Sequence, residues 1–392
     1  GFWDTFRSLF PLLNLVYPSV NAEIQAGLAN AYRESGFLPE WASPGHRGCM
    51  VGNNSASVVA DAILKGVTPE EDVITLYEAM LAGRDKVHPT VSSTGRLGHE
   101  YYNTLGYVPY DAGIDENVAR TLEYAYDDWC MAQMAKALNK EDDYLYFMEA
   151  SKNYKNVFDS STGFMRAKLS DRNWKTPFSP FASAHRDDDY TEGNAWQYSW
   201  FVPHDVEGLI ALHGGKVAFA NKLDSLFTLP SIIEGDNVSP DISGLIGQYA
   251  QGNEPSHHVA YLYNYTDTPY KTQYYVDRIR RELYTDRPDG ICGNEDCGQM
   301  SAWYIFSAMG FYPVNPSDGK YQLGTPMFKK VTIKLGQDRK FVIKANRENN
   351  QYIYVKEVLL NGEKLDRTWI THDEIMNGGE LEFVLTSEIP QK

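Results

Sequence analysis

Along the first three hundred residues, apolar side chains recur with the spacing of amphipathic helices. Ile24, Leu28 and Tyr32 follow one another at four-residue intervals and therefore share one face of a helix. Asn21 precedes this pattern and can cap its first turn, and Gly36 follows it. We therefore predict a helix that begins at Asn21 and ends at Gly36.

A second helix start lies at residues 68–71, where Thr-Pro-Glu-Glu has the form of a capping box with proline in the first turn. The pattern that follows predicts a helix as far as Gly83. Similar patterns predict helices at residues 55–65, 115–138, 141–157, 198–212, 214–226, 256–264, 270–283 and 298–309. About eleven helices without strands between them favour helices packed on helices, and a ring of helical hairpins is the closed form we expect.

The stretches between these helices are long at residues 84–114, 158–197 and 227–255, and they are rich in Gly, Pro, Asp, Tyr and Trp. Loops of this length in a compact domain are either functional or disordered. Their aromatic content favours function, so we expect these loops to carry functional residues.

After Pro316 the apolar positions change to a period of two. Val331, Ile333 and Leu335 alternate with polar side chains, as in a half-buried strand. Asn361-Gly362 is a hairpin turn signal. We therefore predict a mainly α chain with a helical domain at residues 1–316 and a β-sandwich-like C-terminal portion at residues 317–392.

The charge balance of the chain is acidic. Its 52 Asp and Glu residues outnumber 36 Lys and Arg residues, which gives a formal net charge of −16. This charge opposes nucleic acids and anionic membranes as partners and leaves neutral substrates such as sugars favoured. The 27 Tyr and 8 Trp side chains also favour a sugar substrate, because aromatic faces stack on pyranose rings, although core packing is their commoner role. The sequence holds no run of eighteen apolar residues, so we expect no membrane span.

The four cysteines are too few for a disulfide framework in 392 residues, and they lack the paired short repeats of a structural zinc site. Cys292 and Cys297 could form a local bridge, or both could be free thiols. The chain begins abruptly with structured-looking sequence and without a visible signal peptide. We therefore interpret it as a fragment whose upstream part is missing.

Residues 293–304 combine two neighbouring carboxylates with glycines and a following apolar helical pattern. Glu295 and Asp296 lie between Gly293 and Gly298, so the backbone there can approach a substrate closely. The helix behind them would hold such a site rigid. General-base chemistry is one interpretation, and a solvated loop that caps the helix is the other.

Glu192 follows the acidic residues 187–189 and precedes Trp196. Partial burial at such a position could keep a carboxylic acid protonated near neutral pH, whereas the acidic triplet itself is more simply a solvated loop. A separate acid and base, Asp4 and Arg7, can share one helix face. A surface salt bridge is the simplest role for that pair.

Residues 251–258 are crowded with oxygen ligands and contain two imidazoles. Asn253 and Glu254 suit a hard cation such as calcium. Zinc is disfavoured because His257 and His258 would point about 100° apart on a helix. A plain helix cap is the alternative interpretation.

Two groups of carboxylates far apart in the sequence suit the hydrolysis of a glycosidic bond, in which one acid protonates the departing oxygen and a second carboxylate attacks or activates water. The sequence has no nucleophile elbow, P-loop or dinucleotide motif to compete. Another glycosidase or a sugar phosphorylase is an alternative, although phosphorolysis needs a cluster of basic residues. A non-catalytic carbohydrate-binding fragment is a third interpretation.

A family pattern extends from residue 3 to residue 316. It is carried by WDTFR (3–7), TLEYAYDDW (121–129), TEGNAWQYSWFVPHD (191–205), GNEPSHHVAYLY (252–263) and GNEDCGQMSAWYIFSAMGFYPVNP (293–316). In this order the segments resemble glycoside hydrolase family 92. The resemblance implies a calcium-dependent, inverting exo-α-mannosidase with an (α/α)6 barrel. It also implies an N-terminal β-sandwich domain, missing from this chain, that packs on the barrel and completes the site.

The resemblance assigns roles to residues at matching positions. Glu192 corresponds to the general acid and Asp296 to the general base, with Glu295 ranked second as base. Asn253 and Glu254 correspond to calcium ligands. The implied contacts to the terminal mannose are Asp4, Arg7, Trp196 and His257.

The implied substrates are terminal α-mannosides of N-glycans or yeast mannan. An α-1,2 linkage is ranked first, and α-1,3, α-1,4, α-1,6 and mannose-1-phosphate diester linkages stay open, as does the oligomeric state. The implied location is secreted, periplasmic or at the surface of a bacterial cell.

Overall fold

Helices are the main regular structure of the chain in a computed structural model that describes residues 1–390. They are α1 (Phe2–Thr5), α2 (Leu9–Val16), α3 (Pro18–Ser35), α4 (Ser55–Leu64), α5 (Glu70–Arg84), α6 (His99–Leu105), α7 (Asn117–Ala137), α8 (Glu141–Ala150), α9 (Ala195–Tyr198), α10 (Val206–Leu212), α11 (Lys216–Thr228), α12 (Tyr270–Leu283), α13 (Gln299–Met309) and α14 (His372–Met376). Short 3₁₀ turns lie between several of them, including Glu254–Ser256, Val259–Tyr265 and Asp296–Gly298. The mainly helical class is thus confirmed.

The start of α3 differs from the prediction, whereas its end agrees. The helix begins at Pro18 rather than at Asn21, because proline is favourable in a first helical turn. Asn21 is instead buried inside the helix, where its amide donates to Asn14 Oδ1 at 2.5 Å. Gly36 ends α3 in the left-handed conformation, with φ of 76°.

The predicted capping box of α5 is wrong. The helix begins at Glu70 and its preceding residue is Pro69, which has no side-chain donor or acceptor. The Thr68 hydroxyl, which a capping box would use, is buried without a hydrogen-bond partner among the described residues. Three acidic residues in the first turn stabilise this helix end instead, because they interact favourably with the helix dipole. The helix ends at Arg84, one residue beyond Gly83.

The single helix predicted at residues 198–212 is also wrong. Helix α9 ends at Tyr198 and α10 begins at Val206. Pro203 lies in the break and lacks the N–H that an interior helical residue donates. Asp205 then caps α10 by accepting a hydrogen bond from the Gly208 N–H at 2.9 Å.

The C-terminal portion contains the long strands that its alternating pattern predicts. The strands of the chain are β1 (Phe158–Asp159), β2 (Phe164–Met165), β3 (Leu245–Ile246), β4 (Tyr249–Ala250), β5 (Phe311–Tyr312), β6 (Lys320–Leu323), β7 (Lys330–Lys334), β8 (Lys340–Ala345), β9 (Tyr354–Leu360), β10 (Glu363–Lys364), β11 (Trp369–Thr371) and β12 (Gly379–Thr386). Five of them form a sheet in the order β10-β9-β12-β8-β7. Asn361 and Gly362 turn the β9–β10 hairpin with φ of 54° and 83°, as predicted.

A second sheet has the order β11-β6-β5 and connects the helical part to the C-terminal part. Strand β5 precedes the predicted domain boundary at residue 316, and β6 and β11 follow it. Buried side chains on both sides of the boundary, such as Trp303 and Phe341, belong to one hydrophobic cluster. The division of the chain at residue 316 stays a prediction.

Candidate active site

Two glycines bring together the loops that carry the acidic residues. A Cβ atom on Gly293 would lie 2.5 Å from the carbonyl oxygen of Gly252 and 2.8 Å from its Cα, so the two backbones touch. Gly252 in turn donates its N–H to the Ser243 carbonyl at 3.0 Å. This close packing places Glu254 and Asp296 on neighbouring segments.

Three carboxylates converge at this point, which we call the carboxylate cluster: Asp4, Glu254 and Asp296. One oxygen from each residue lies within 4.8 Å of the others. Asp4 is 4% exposed and Glu254 is 1% exposed. Neither carboxylate oxygen of Glu254 has a hydrogen-bond partner among residues 1–390. Buried carboxylates normally have such partners, so this arrangement requires a proton or a cation.

The electrostatics of the cluster follow from burial and like charge. Burial, followed by the nearby charge of Asp296, raises the pKa of Asp4 to about 7. Burial raises the pKa of Glu254 well above its usual range, and the charges of Asp4 and Asp296 add to this effect. Without a cation, the cluster therefore holds protons near neutral pH.

The donor set fits a hard cation. Calcium prefers carboxylate and carbonyl oxygens, and three carboxylates with two unpartnered oxygens supply such ligands. Glu254 was predicted as a calcium ligand, and it belongs to this set. Asn253 is adjacent, and its side-chain amide donates to the Glu192 carbonyl at 2.8 Å.

Glu192 lies within electrostatic reach of the carboxylate cluster. Its backbone φ is 49°, a left-handed conformation that is rare for a residue with a side chain. Burial raises its pKa to about 8, with further contributions from the charges of Asp241, Asp4 and Asp296. Without a cation at the cluster, Glu192 is therefore mostly protonated at neutral pH, as a general acid must be.

Asp241 was missed by the sequence reasoning, although its charge is the largest electrostatic contribution to the raised pKa of Glu192. It lies in the long loop at residues 227–255, which was expected to be functional. Asp241 accepts a hydrogen bond from the Ser239 hydroxyl at 3.0 Å. The loop's length signalled its importance, but no local motif marked this acid.

The side chain of Glu295 makes a different contact from that of its neighbour Asp296. Its Oε1 accepts a hydrogen bond from the Ser301 N–H at 3.0 Å, at the start of α13. The left-handed conformations of Asp296 and Cys297, with φ of 49° and 57°, turn the chain between Glu295 and α13. The structure thus brings Asp296, and not Glu295, into the carboxylate cluster.

Gln299 connects three segments of the site through hydrogen bonds of its side chain. Its Oε1 accepts hydrogen bonds from the N–H groups of Ser8 and Leu9 at 3.0 and 3.1 Å. Its Nε2 donates to the Ser8 hydroxyl at 2.6 Å and to Nδ1 of His257 at 3.0 Å. The segment after Asp4, the loop after Glu254 and the helix after Asp296 are therefore joined through one buried amide.

His257 and Trp196, two predicted substrate contacts, are both buried. Burial lowers the pKa of His257 to about 3, so its ring is neutral, and its Nε2 donates to the Gln251 carbonyl at 3.0 Å. Trp196 is 6% exposed, and its ring packs edge-on against Phe164 with the ring centroids 4.8 Å apart. In this structure the ring of each residue therefore packs inside the fold beside the site.

Arg7 is buried, which excludes the surface salt bridge considered for Asp4 and Arg7. The guanidinium carbon lies 4.6 Å from the ring centroid of Phe6 and 4.9 Å from that of Phe201. Its Nη2 lies 3.6 Å from Glu123 Oε1, and its Nε donates to a backbone carbonyl. Arg7 still acts on the cluster, because its charge partly offsets the raised pKa of Asp4.

The cysteines of the chain are free thiols. Cys292 is partly buried and Cys297 is exposed, so the local bridge considered for this pair is not formed in the structure. Burial raises the pKa of Cys292 to about 11, which keeps its thiol protonated at neutral pH. Cys292 therefore contributes to the packing of the loop as a small neutral side chain.

Within residues 1–390, none of the helices is both long and apolar enough to cross a membrane.

Comparison with known proteins supports the resemblance of the sequence. An inverting mannosidase of family GH92 from Bacteroides thetaiotaomicron is 43% identical, with a TM-score of 0.90 over 99% of this chain and 53% of that chain. A family GH92 α-mannosidase from the same organism, solved in complex with mannoimidazole, is 41% identical, with a TM-score of 0.91 over 100% of this chain and 51% of that chain. An uncharacterized secreted glycosidase from Arthroderma benhamiae is 29% identical over 92% of this chain and 48% of that protein.

The chain spans about half the length of these relatives. The model of the glycosyl hydrolase family 92 catalytic domain matches residues 1–387. Because this match covers nearly the whole chain, the chain belongs to glycosyl hydrolase family 92.

Proposed function

We propose that the whole protein is an exo-acting α-mannosidase that hydrolyses terminal α-mannosides with inversion. One observation carries this proposal: Glu192, with its pKa raised to about 8, lies within electrostatic reach of a buried cluster of carboxylates. Such a site offers a protonated acid and an ionisable carboxylate at the same pH, which glycoside hydrolysis requires. Two relatives of known structure are described as mannosidases, one of them inverting, which supports both the substrate and the stereochemistry.

In the proposed reaction, Glu192 donates its proton to the glycosidic oxygen as the bond to the anomeric carbon breaks. Asp296 removes a proton from a water molecule, whose oxygen attacks the anomeric carbon from the opposite face. An inverting pair must stand roughly 6.5 to 9.5 Å apart to leave room for that water. The products are the free leaving-group sugar and β-mannose, and solvent then restores the two protonation states.

We propose that a calcium ion binds at the carboxylate cluster, with Glu254 and Asn253 as ligands and with Asp4 and Asp296 close by, Asp296 staying free to act as the base. When bound, calcium would supply positive charge that attracts the hydroxyl groups of the terminal mannose. Among the proposed sugar contacts, Asp4 is itself a member of the carboxylate cluster. Arg7, Trp196 and His257 stay proposed contacts, and their burial favours a role in holding the walls of the pocket.

The finer features implied by the family are proposals as well. These are an (α/α)6 arrangement of the helices, an N-terminal β-sandwich domain that completes the site, and secretion of the protein. The Arthroderma benhamiae relative is described as secreted, which supports the last of these. The candidate substrates are N-glycans or mannan, with the α-1,2 linkage first.

The proposal is tested by following the hydrolysis of α-linked mannobioses by NMR, using the full-length natural protein with calcium and with a chelator. We expect β-mannose as the first product and a large loss of turnover in chelator. Release of α-mannose, or equal rates in both conditions, would contradict the mechanism. Binding of mannobiose without turnover would favour the non-catalytic carbohydrate-binding alternative.

A further inference from the structure

An open cavity of about 590 Å³ lies where α4 and α7 meet the start of α14, and its volume is within the range of small-molecule binding sites. Trp129 and Gln133 on α7 belong to its wall, whereas Glu192 and the carboxylate cluster do not. The other end of α7 lies beside the loop of Glu192, because Asn117 Nδ2 donates to Asp189 Oδ1 at 2.9 Å. A helix rises about 1.5 Å per residue, so Trp129 and Gln133, which follow Asn117 by 12 and 16 residues, lie about 18 and 24 Å along α7. The cavity therefore lies away from the candidate active site.

Trp129 supplies the aromatic part of the wall. It is half-buried, its indole N–H donates to no other residue among residues 1–390, and none of the described aromatic rings stacks on it. Three buried indoles of the chain differ, since those of Trp3, Trp200 and Trp303 donate their N–H at 3.3, 2.8 and 2.8 Å. An indole without such partners is free to stack on the apolar face of a sugar ring and to donate to a hydroxyl group.

Polar side chains with unused hydrogen-bonding groups lie around the same cavity. Gln133 follows Trp129 by about one helical turn, and its side chain makes one long contact within residues 1–390, from Nε2 to the sulfur of Met148 at 3.7 Å. Lys136 and Asp373 are exposed members of the wall, and neither forms an ion pair in the described part of the chain. An amide, an ammonium group and a carboxylate together offer donors and acceptors to hydroxyl groups.

The charge of the wall favours a neutral ligand. Asp61 and Lys65 form a buried ion pair, with 2.5 Å between Oδ1 and Nζ and side chains that are 0% and 4% exposed. The other Asp and Lys side chains are Lys136, Asp318 and Asp373, so the wall has three carboxylates and two ammonium groups. An anion would meet more negative than positive charge here, and the acidic chain would repel it further. A sugar ring has hydroxyl groups and no net charge, and it therefore fits this wall better.

We propose that this cavity is a second, non-catalytic binding site for a sugar, in which a pyranose ring stacks on Trp129. The hydroxyl groups of the ring contact Gln133, Lys136 and Asp373. The inference is independent of the proposed reaction, because it assigns no step of that reaction to these residues. A glycan held at two sites dissociates more slowly than one held at a single site, so the second site would keep a branched glycan bound to the protein.

The test follows Trp129 directly by fluorine NMR, in the full-length protein labelled with fluorotryptophan. The protein has the substitution Glu192→Gln, so that it does not consume the sugar, and Trp129→Phe identifies the resonance of Trp129 by its loss. The probe is an α-linked mannobiose, and the control compound is mannitol, which has hydroxyl groups but no ring. We expect mannobiose, and not mannitol, to shift the Trp129 resonance in a saturable manner. The resonance of Trp174, which is half-buried but outside the wall of the cavity, should not move.

Two substitutions test the polar contacts. Gln133→Ala and Asp373→Ala should each raise the dissociation constant for mannobiose at this site about threefold to tenfold, because each removes a hydrogen bond to the sugar. Asp366→Ala is the matched control, because Asp366 is also exposed and lies in the same C-terminal portion but not in the wall. It should leave the dissociation constant as it is. Thermal unfolding confirms that each variant is folded.

A Trp129 resonance that does not respond to mannobiose would overturn the inference, and so would an equal response to mannitol or unchanged binding in both variants. If the resonance is also insensitive to the exchange of H₂O for D₂O, another part of the full-length chain covers the cavity, which overturns the inference as well. A saturable shift that is specific to mannobiose would support the inference even if the natural protein failed to hydrolyse mannobiose. The two proposals therefore fail separately.

Discussion

Two buried carboxylates in this chain have opposite surroundings. Asp277 on α12 has a side chain that is 2% exposed, and three guanidinium groups contact it, those of Arg280, Arg281 and Arg347 at 3.4, 2.6 and 3.3 Å. Glu254 is 1% exposed, has no hydrogen-bond partner among the described residues and lies beside two other carboxylates. The charge of Asp277 is compensated within the fold, whereas that of Glu254 is not.

This difference separates a structural role from a functional one. A buried charge that pairs with others inside the protein connects the elements it touches, here α12 and the C-terminal portion through Arg347. A buried charge without a compensating partner in the fold costs free energy unless a group outside the chain supplies the opposite charge. The carboxylate cluster therefore indicates a site for a cation, a proton or a substrate.

The largest expected effect is on turnover. If the uncompensated carboxylates perform the chemistry, Glu192→Gln and Asp296→Asn should each reduce kcat for mannobiose by roughly 10² to 10⁴. With a substrate that carries a good leaving group, Glu192→Gln should recover more activity than Asp296→Asn, because little proton donation is then needed. Steady-state kinetics on both substrates measure this. Equal losses for both variants on both substrates would argue against the assignment of acid and base.

The second effect is on stability and concerns the compensated carboxylate. Asp277→Asn would leave buried Arg280 and Arg347 without their counterion, so we expect the free energy of unfolding to fall by about 3 to 5 kcal/mol. Denaturant titration measures it, with Asp289→Asn as a control. The side chain of Asp289 is 87% exposed and pairs with Arg287 at 3.9 Å. The control should change stability by less than about 1 kcal/mol. An equally small change in the free energy of unfolding for Asp277→Asn would contradict the structural role that we assign to this carboxylate.

The third effect is a pH dependence that only the uncompensated cluster should produce. The folded-state pKa of Asp4 is raised to about 7 and that of Glu254 is also raised, so the folded protein binds their protons more tightly than the unfolded chain. In chelator, the contribution of these two groups to stability should be greatest below about pH 4, where they are protonated in both the folded and the unfolded state. It should fall as pH rises through about 7, by up to about 1.4 kcal/mol per group for each pH unit.

Calcium should restore much of the lost stability, because its positive charge takes the place of the protons that the cluster loses. At a hundredfold excess over its dissociation constant it adds about 2.7 kcal/mol. Thermal unfolding between pH 5 and pH 8, with and without calcium, measures both effects. Parallel curves in the two conditions would contradict a cation site in the cluster.

The sequence predicted elements where local chemistry decides the structure. The alternation around Val331 and the Asn361-Gly362 turn both have direct physical causes in strand pleating and in turn conformation, and the structure contains the strands and the hairpin. Gly36 ends α3 for a similarly local reason. Helix starts were less predictable, because Pro18 and the acidic first turn of α5 compete with the cap signals at Asn21 and Thr68.

The candidate site was predictable in its acids but not in its geometry. Glu192, Glu254 and Asp296 stand in motifs that suggest chemistry, yet only the folded backbone distinguishes Asp296 from Glu295. The left-handed turn at Asp296 and Cys297 makes that distinction, and periodicity does not reveal it. Asp241 and Gln299 act through residues distant in sequence, so no local pattern could identify them.

Our central proposal is that the carboxylate cluster binds a cation, and the stability of Glu254→Gln tests it most directly. Above about pH 7 in chelator, folding must either protonate Glu254 or bury its charge beside two other carboxylates, and glutamine avoids that cost, so the variant should be more stable than the natural protein by at least about 1 kcal/mol. With calcium the order should reverse, because the variant has lost a ligand. A variant that is less stable than the natural protein in both conditions, as expected for a paired carboxylate such as Asp277, would contradict the account.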